Sequence, residues 1–132
     1  MSYKSCVQNM VFFSIAITAS STVFAFQKQD FLGSWAMERL NNGIANVIVF
    51  DEKGVLTLYP YECLDNYQYK SNSLEYYNYK VKENSIFLEE DGQVLEEMNI
   101  SELSSNHMIA TEISVGLKFS YIKIIGNKPI CE

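Results

Sequence analysis

Side-chain catalysis needs a base, a nucleophile or a set of metal ligands, and this chain offers few. Its single histidine, His107, follows the polar stretch Ser104-Ser105-Asn106 and precedes the apolar run that starts at Met108. As a general base it needs a nucleophile and an orienting acid converging on it. No Gly-x-Ser-x-Gly elbow supplies the nucleophile, so His107 reads as an exposed turn residue. The carboxylate pairs Glu89/Glu90 and Glu96/Glu97 are adjacent. On a strand such neighbours point to opposite faces and cannot act together as an acid–base pair. Glu112 interrupts the apolar stretch IATEISV. Facing inward it needs a partner such as Lys118 or a tyrosine hydroxyl; an outward, solvated position is expected. Phosphate-binding loops, dinucleotide fingerprints and EF-hand spacings are absent from the sequence. One histidine and the cysteine spacing match no zinc pattern. The expectation is a protein that is not an enzyme and carries no metal or cofactor.

Tyrosine is the residue type that stands out. The stretch YPYECLDNYQYKSNSLEYYNYK holds seven of the nine tyrosines, at 59, 61, 67, 69, 76, 77 and 79. Tyrosine joins a large contact area to a polar tip, which suits recognition surfaces. Tyr61, Tyr67 and Tyr69, beside Cys63, are the best candidates for binding a ligand or partner, followed by Tyr77 and Tyr79. The plainer reading is that strands favour tyrosine and that a loop held by a disulfide needs packing.

These residues are carried by a chain that reads as exported. Lys4 precedes an uncharged segment that ends at a small-residue site, with Val23 and Ala25 where a signal peptidase reads. Cleavage is expected after Ala25, making residues 1–25 a signal peptide and 26–132 one domain. The 17 residues from Met10 to Phe26, diluted by Ser and Thr, fall short of the roughly 20 a membrane anchor needs. No membrane insertion is expected after cleavage, and the destination is the periplasm or the outside of the cell. Lys4 is the only charge removed, so the domain keeps 9 basic and 16 acidic residues, a net of −7. That balance is unfavourable for nucleic acid and anionic lipid; it suits solubility or a basic partner. Cys6 leaves with the signal, and Cys63 and Cys131 remain as one possible pair. In an oxidising compartment two such cysteines usually bridge.

The elements that position these residues are strands. Trp35–Arg39, Ile44–Phe50, Val55–Tyr59, Glu75–Val81, Ser85–Glu90, Val94–Leu103, Met108–Ser114 and Leu117–Ile125 have strand composition and are separated by turn signals. The turns include Asn41-Asn42-Gly43, Asp51-Glu52-Lys53-Gly54, Glu83-Asn84 and Asp91-Gly92. Residues 60–73 show no period and read as a long loop, and a short helical turn fits Gln27–Leu32. The fold class is therefore all-β: an eight-stranded antiparallel meander closing into a barrel or sandwich. An interior lined by Tyr77, Tyr79, Phe87, Met98, Phe119 and Tyr121 is expected, large enough to fill much of so small a barrel.

The run Gly33-Ser34-Trp35 at the first strand, followed by a β-meander and a late cysteine, resembles the lipocalin-like superfamily. The resemblance implies a β-barrel whose Trp35 plugs the closed end, with Gly33 letting the backbone pass close. It also implies a basic residue of the last strand over the indole, here Lys118 or Lys123, and a bridge from Cys131 to Cys63. The function it implies is non-catalytic binding of a small apolar or amphipathic ligand at the barrel mouth. An alternative is a periplasmic inhibitor or immunity protein. It would block a basic envelope protein, such as a toxin or cell-wall hydrolase, through the tyrosine-rich loop.

Overall fold

In the computed structural model, residues 25–132 are described. The expected signal peptide, apart from Ala25, lies outside the described residues. Ten strands follow in chain order: β1 (Gly33–Met37), β2 (Val47–Phe50), β3 (Val55–Tyr59), β4 (Tyr61–Cys63), β5 (Tyr69–Ser71), β6 (Glu75–Lys82), β7 (Ser85–Glu90), β8 (Gln93–Leu103), β9 (His107–Glu112) and β10 (Leu117–Ile124). Eight of them form a closed antiparallel barrel in the order β1-β2-β3-β6-β7-β8-β9-β10, with β10 returning to β1. Closure leaves no free sheet edge in the barrel. The chain is all-β, as its pattern predicts.

Residues 60–73 depart from the expected loop. β4 and β5 pair with each other as a separate two-stranded arm inserted between β3 and β6. Strands of three residues are too short to show alternation, and contacts elsewhere hold them. Ile44 bridges to Glu62, and the amide of Cys63 donates to the Gly43 carbonyl at 2.7 Å. Cys63 and Cys131 form a disulfide, with Cα atoms 5.4 Å apart, that ties the arm to the C-terminal tail. The two cysteines bury against Ala45 in a small cluster of their own. Closing so long a loop stabilises the fold by on the order of 4 kcal/mol.

Alternation sorts the barrel side chains. Trp35, Ile48, Phe50, Leu56, Tyr79, Ile86, Leu88, Met98, Ile100, Met108 and Tyr121 are buried in one core. Phe87 is corrected: Ile86 and Leu88 take the inner face of β7, so Phe87 lies between them on the outer wall, opposite Lys80 and Glu97.

One end of the barrel is sealed. The chain enters through a 3-10 turn (Lys28–Asp30), and Phe31 then packs across the opening against Phe26 and Phe50. Trp35 is 1 % exposed and donates its indole N–H to the Phe31 carbonyl at 2.9 Å. Directly opposite on β10, Lys123 lays its ammonium 4.4 Å from the indole centroid and donates to the Leu32 carbonyl. Gly33 makes room for that lysine. Its φ of +108° disfavours any L side chain, and a Cβ there would sit 2.9 Å from the Lys123 ammonium. Lys118 has no part in this seal; it is exposed, near the start of β10, at the opposite end of the barrel.

Urea unfolding should separate these roles. Trp35→Ala is expected to cost about 3–5 kcal/mol and Lys123→Ala roughly 1–2 kcal/mol, whereas Lys118→Ala should stay within about 0.5 kcal/mol. Equal losses for the two lysines would contradict the assigned geometry.

Candidate functional site

Above the indole the barrel is not filled. Side chains from β2, β3, β7, β8 and β10 — Ile48, Leu58, Leu88, Met98 and Phe119 among them — wall a cavity of about 320 Å³. That is at the small end of the ~300–1,000 Å³ that ligand pockets occupy. It opens at the end opposite Trp35, where Leu40, Ile44 and Leu117 stand at the lip. Around that mouth the β7–β8 and β9–β10 hairpins expose Val94, Leu95, Ile113 and Val115. The β7–β8 turn is tight, with Asp91 and Gly92 both at positive φ.

Two carboxyl groups face each other inside this greasy cup. Met98 and Glu112 are directly opposed across β8 and β9, so Glu96, two residues earlier on β8, is the diagonal neighbour of Glu112 on the same inner face. Both line the same cavity. Burial first, and then the neighbouring Glu112 carboxyl, push the Glu96 carboxyl up to about 7. Glu112 is thus corrected from an outward to an inward position, and its partner is a second acid in place of Lys118 or a tyrosine. The inward parity of Met108, Ala110 and Glu112 on β9 carried this information. Glu96 was missed because only the β8–β9 register brings it to Glu112.

Tyr121 completes the group. It is 5 % exposed and lines the same cavity, and its hydroxyl, which bonds to no described residue, opens onto that space. Burial, together with the charges of Glu96 and Glu112, raises its pKa far above the ordinary phenol value. Tyr77 lies at the rim, its pKa raised by burial and by Glu75, Glu90 and Glu96. No lysine, arginine or histidine lines the cup among the described residues.

The tyrosines singled out above therefore divide into three places. Tyr77 belongs to the cup. Tyr79 is buried at the sealed end, stacked edge-on against Phe50 and donating to the Asp51 carbonyl at 2.6 Å. Tyr61 and Tyr69 meet edge-to-face in the arm, where the Tyr61 hydroxyl donates to the Asn127 carbonyl at 2.8 Å. Tyr67 stands at the arm's tip, 70 % exposed, and with Asn66 it adopts positive φ, near +60°. A tyrosine in that conformation carries strain of roughly 1–2 kcal/mol.

His107 also lies elsewhere than expected. It is a half-buried strand residue of β9 on the outer wall, its Nε2 2.8 Å from Ser120 Oγ and its Nδ1 3.5 Å from a Glu102 carboxylate oxygen. It borders an open groove of about 680 Å³ between the β1 exit and the C-terminal tail. The order nucleophile, base, acid is that of a hydrolase, but acyl transfer also requires donors aimed at the developing oxyanion. Ser120 sits mid-strand between β9 and β1, where main-chain N–H groups serve the ladders. The larger groove is therefore the weaker candidate, and the smaller internal cup is the better one.

Compared with models of known protein families, with curated proteins and with solved structures, the chain matches none.

The acid pair has a consequence for stability. A carboxyl whose folded pKa exceeds its unfolded value near 4.5 contributes stability that is full below pH 4.5 and lost as pH rises to about 7. With solvent screening at this half-open position, the loss is about 1–2 kcal/mol. Glu96→Gln should remove it. The variant is expected to match the parent near pH 4.5 and to melt roughly 5 °C or more above it at pH 8, measured by circular dichroism. A variant that is less stable at pH 8 would show that the pair is held by attraction instead.

Proposed function

We propose that the protein is a non-catalytic exported binding protein, of lipocalin-like type, that holds a small apolar or amphipathic ligand in the open half of its barrel. The observation that carries this reading is the cavity of about 320 Å³ left above Trp35 by an otherwise close-packed core. Protein interiors rarely leave such volume empty, because voids forfeit dispersion contacts. The exposed apolar residues at the mouth favour an amphipathic ligand whose one end reaches the rim. The disulfide supports an oxidising destination, the periplasm or the outside of the cell.

A second reading has its own observation. Tyr67 is held strained and exposed at the tip of an arm anchored by the disulfide and by Tyr61. Rigid, projecting aromatics suit the inhibition of a basic envelope toxin or hydrolase, which the acidic surface would attract. Recovery of such a protein by the mature domain, lost on Tyr67→Ala, would favour this role.

Calorimetric titration of the mature protein with octan-1-ol tests the first reading. Saturable one-to-one binding is expected, and it should be lost when Leu58→Trp fills the cup with the circular dichroism spectrum unchanged. Absence of binding, or binding indifferent to Leu58→Trp, would exclude the cup as the site.

A further inference from the structure

Resting on the binding role just proposed, we infer that the cup selects a cationic amphiphile: an alkyl or aryl amine whose protonated nitrogen sits between Glu96, Glu112 and the Tyr121 hydroxyl. Two features of the molecule converge on this. Asn42, Asn46 and Tyr77 line the cup as neutral polar groups, and its acids are two carboxyls from β8 and β9, with the Tyr121 hydroxyl of β10 opening onto the same space. A protonated amine brings three donors, which matches that set in number and in charge. Most of the remaining wall is leucine, isoleucine, methionine and phenylalanine, which takes up an apolar tail.

The same features exclude other occupants. A fatty acid would bring a third carboxylate into a cup lined by no cation among the described residues. A divalent metal ion would find two carboxyls in an apolar wall, where calcium requires six to eight oxygens. The described residues hold no group of three or more metal-binding side chains. The domain's net charge of −7 favours approach of a cation.

An arrangement of two acids without a base is unfavourable for the empty protein, and an ammonium group would relieve it. The groups facing Glu96 are Glu112 on β9, Tyr121 on β10 and Tyr77 on β6, with Glu75 and Glu90 near Tyr77 at the rim. None of them is cationic. As pH rises through about 7 the proton held by the pair leaves, and an ammonium ligand takes over its stabilising role. Amine affinity should therefore rise from pH 5.5 to pH 8, a range in which a primary alkylamine stays protonated.

The test uses octan-1-amine and octan-1-ol, matched in length and differing in the head group. By calorimetry at pH 8 the amine should bind at least tenfold more tightly than the alcohol, the difference expected of a charge-assisted over a neutral hydrogen bond. The Glu96→Gln/Glu112→Gln variant should bring the two to within about threefold, and Glu112→Gln alone should fall between. The parent's preference should also shrink at pH 5.5. Equal affinities in the parent, with the alcohol still bound, would overturn the amine assignment and leave the binding role standing. Failure of both compounds to bind would overturn the two together.

Discussion

Lys123 spans the face of the Trp35 indole and reaches the Leu32 carbonyl, while the indole N–H reaches the carbonyl of Phe31. This joint fixes the entering chain, the first strand and the last strand at one end of the barrel. It favours glycine at position 33, where φ is +108° and the lysine head lies close to where a Cβ would project. With the joint in place, the barrel is closed at the bottom by aromatic packing. The strands above it are then free to differ in what they put inside. A barrel this small, if packed throughout, would have no interior to offer.

What lies above the joint follows from how the upper tier is filled. Leucine, isoleucine and methionine hold the walls, but two glutamates and a tyrosine take inner positions that hydrocarbon could have occupied. Burial and like charges placed together in a low-dielectric cup destabilise the folded state, and both raise the Glu96 pKa. Such tension tends to mark functional sites, since packing alone offers no reason to retain it. The outer-wall line of Ser120, His107 and Glu102 differs in kind. It satisfies polar groups at a sheet surface, with the sheet's own N–H groups engaged beside it.

Much of the fold was legible because strand composition and turn chemistry locate strands without knowledge of their partners. All eight barrel strands were legible, with ends that differ by a few residues, and Asp91-Gly92 marked its hairpin. The arm was not, since strands of three residues, held by a disulfide and by tyrosine contacts, leave no periodic trace. Site residues were legible only where parity along one strand suffices, as for Tyr77 and Met98. Parity on β7 also turns Phe87 outward, a step the residue's hydrophobicity concealed. The Glu96–Glu112 pair depends on register between strands, and β8 pairs with its neighbours through two irregularities, near Leu88/Glu89 and Ile100/Glu102. A bulge shifts every later pairing by one residue, so adjacency across β8 could not be counted off from the sequence.

The division of the barrel into a packed lower tier and a receptive upper one is the claim on which the functional account rests. Methyl-region NMR of residues 26–132, titrated with octan-1-amine, tests it most directly. Signals of Leu58, Leu88 and Met98, which wall the cavity, should shift and saturate, while those of Ile86 and Met108, buried in the core but not in that wall, stay in place. Shifts confined to Ile122 and Ile130 in the outer groove, or none at all, would contradict it.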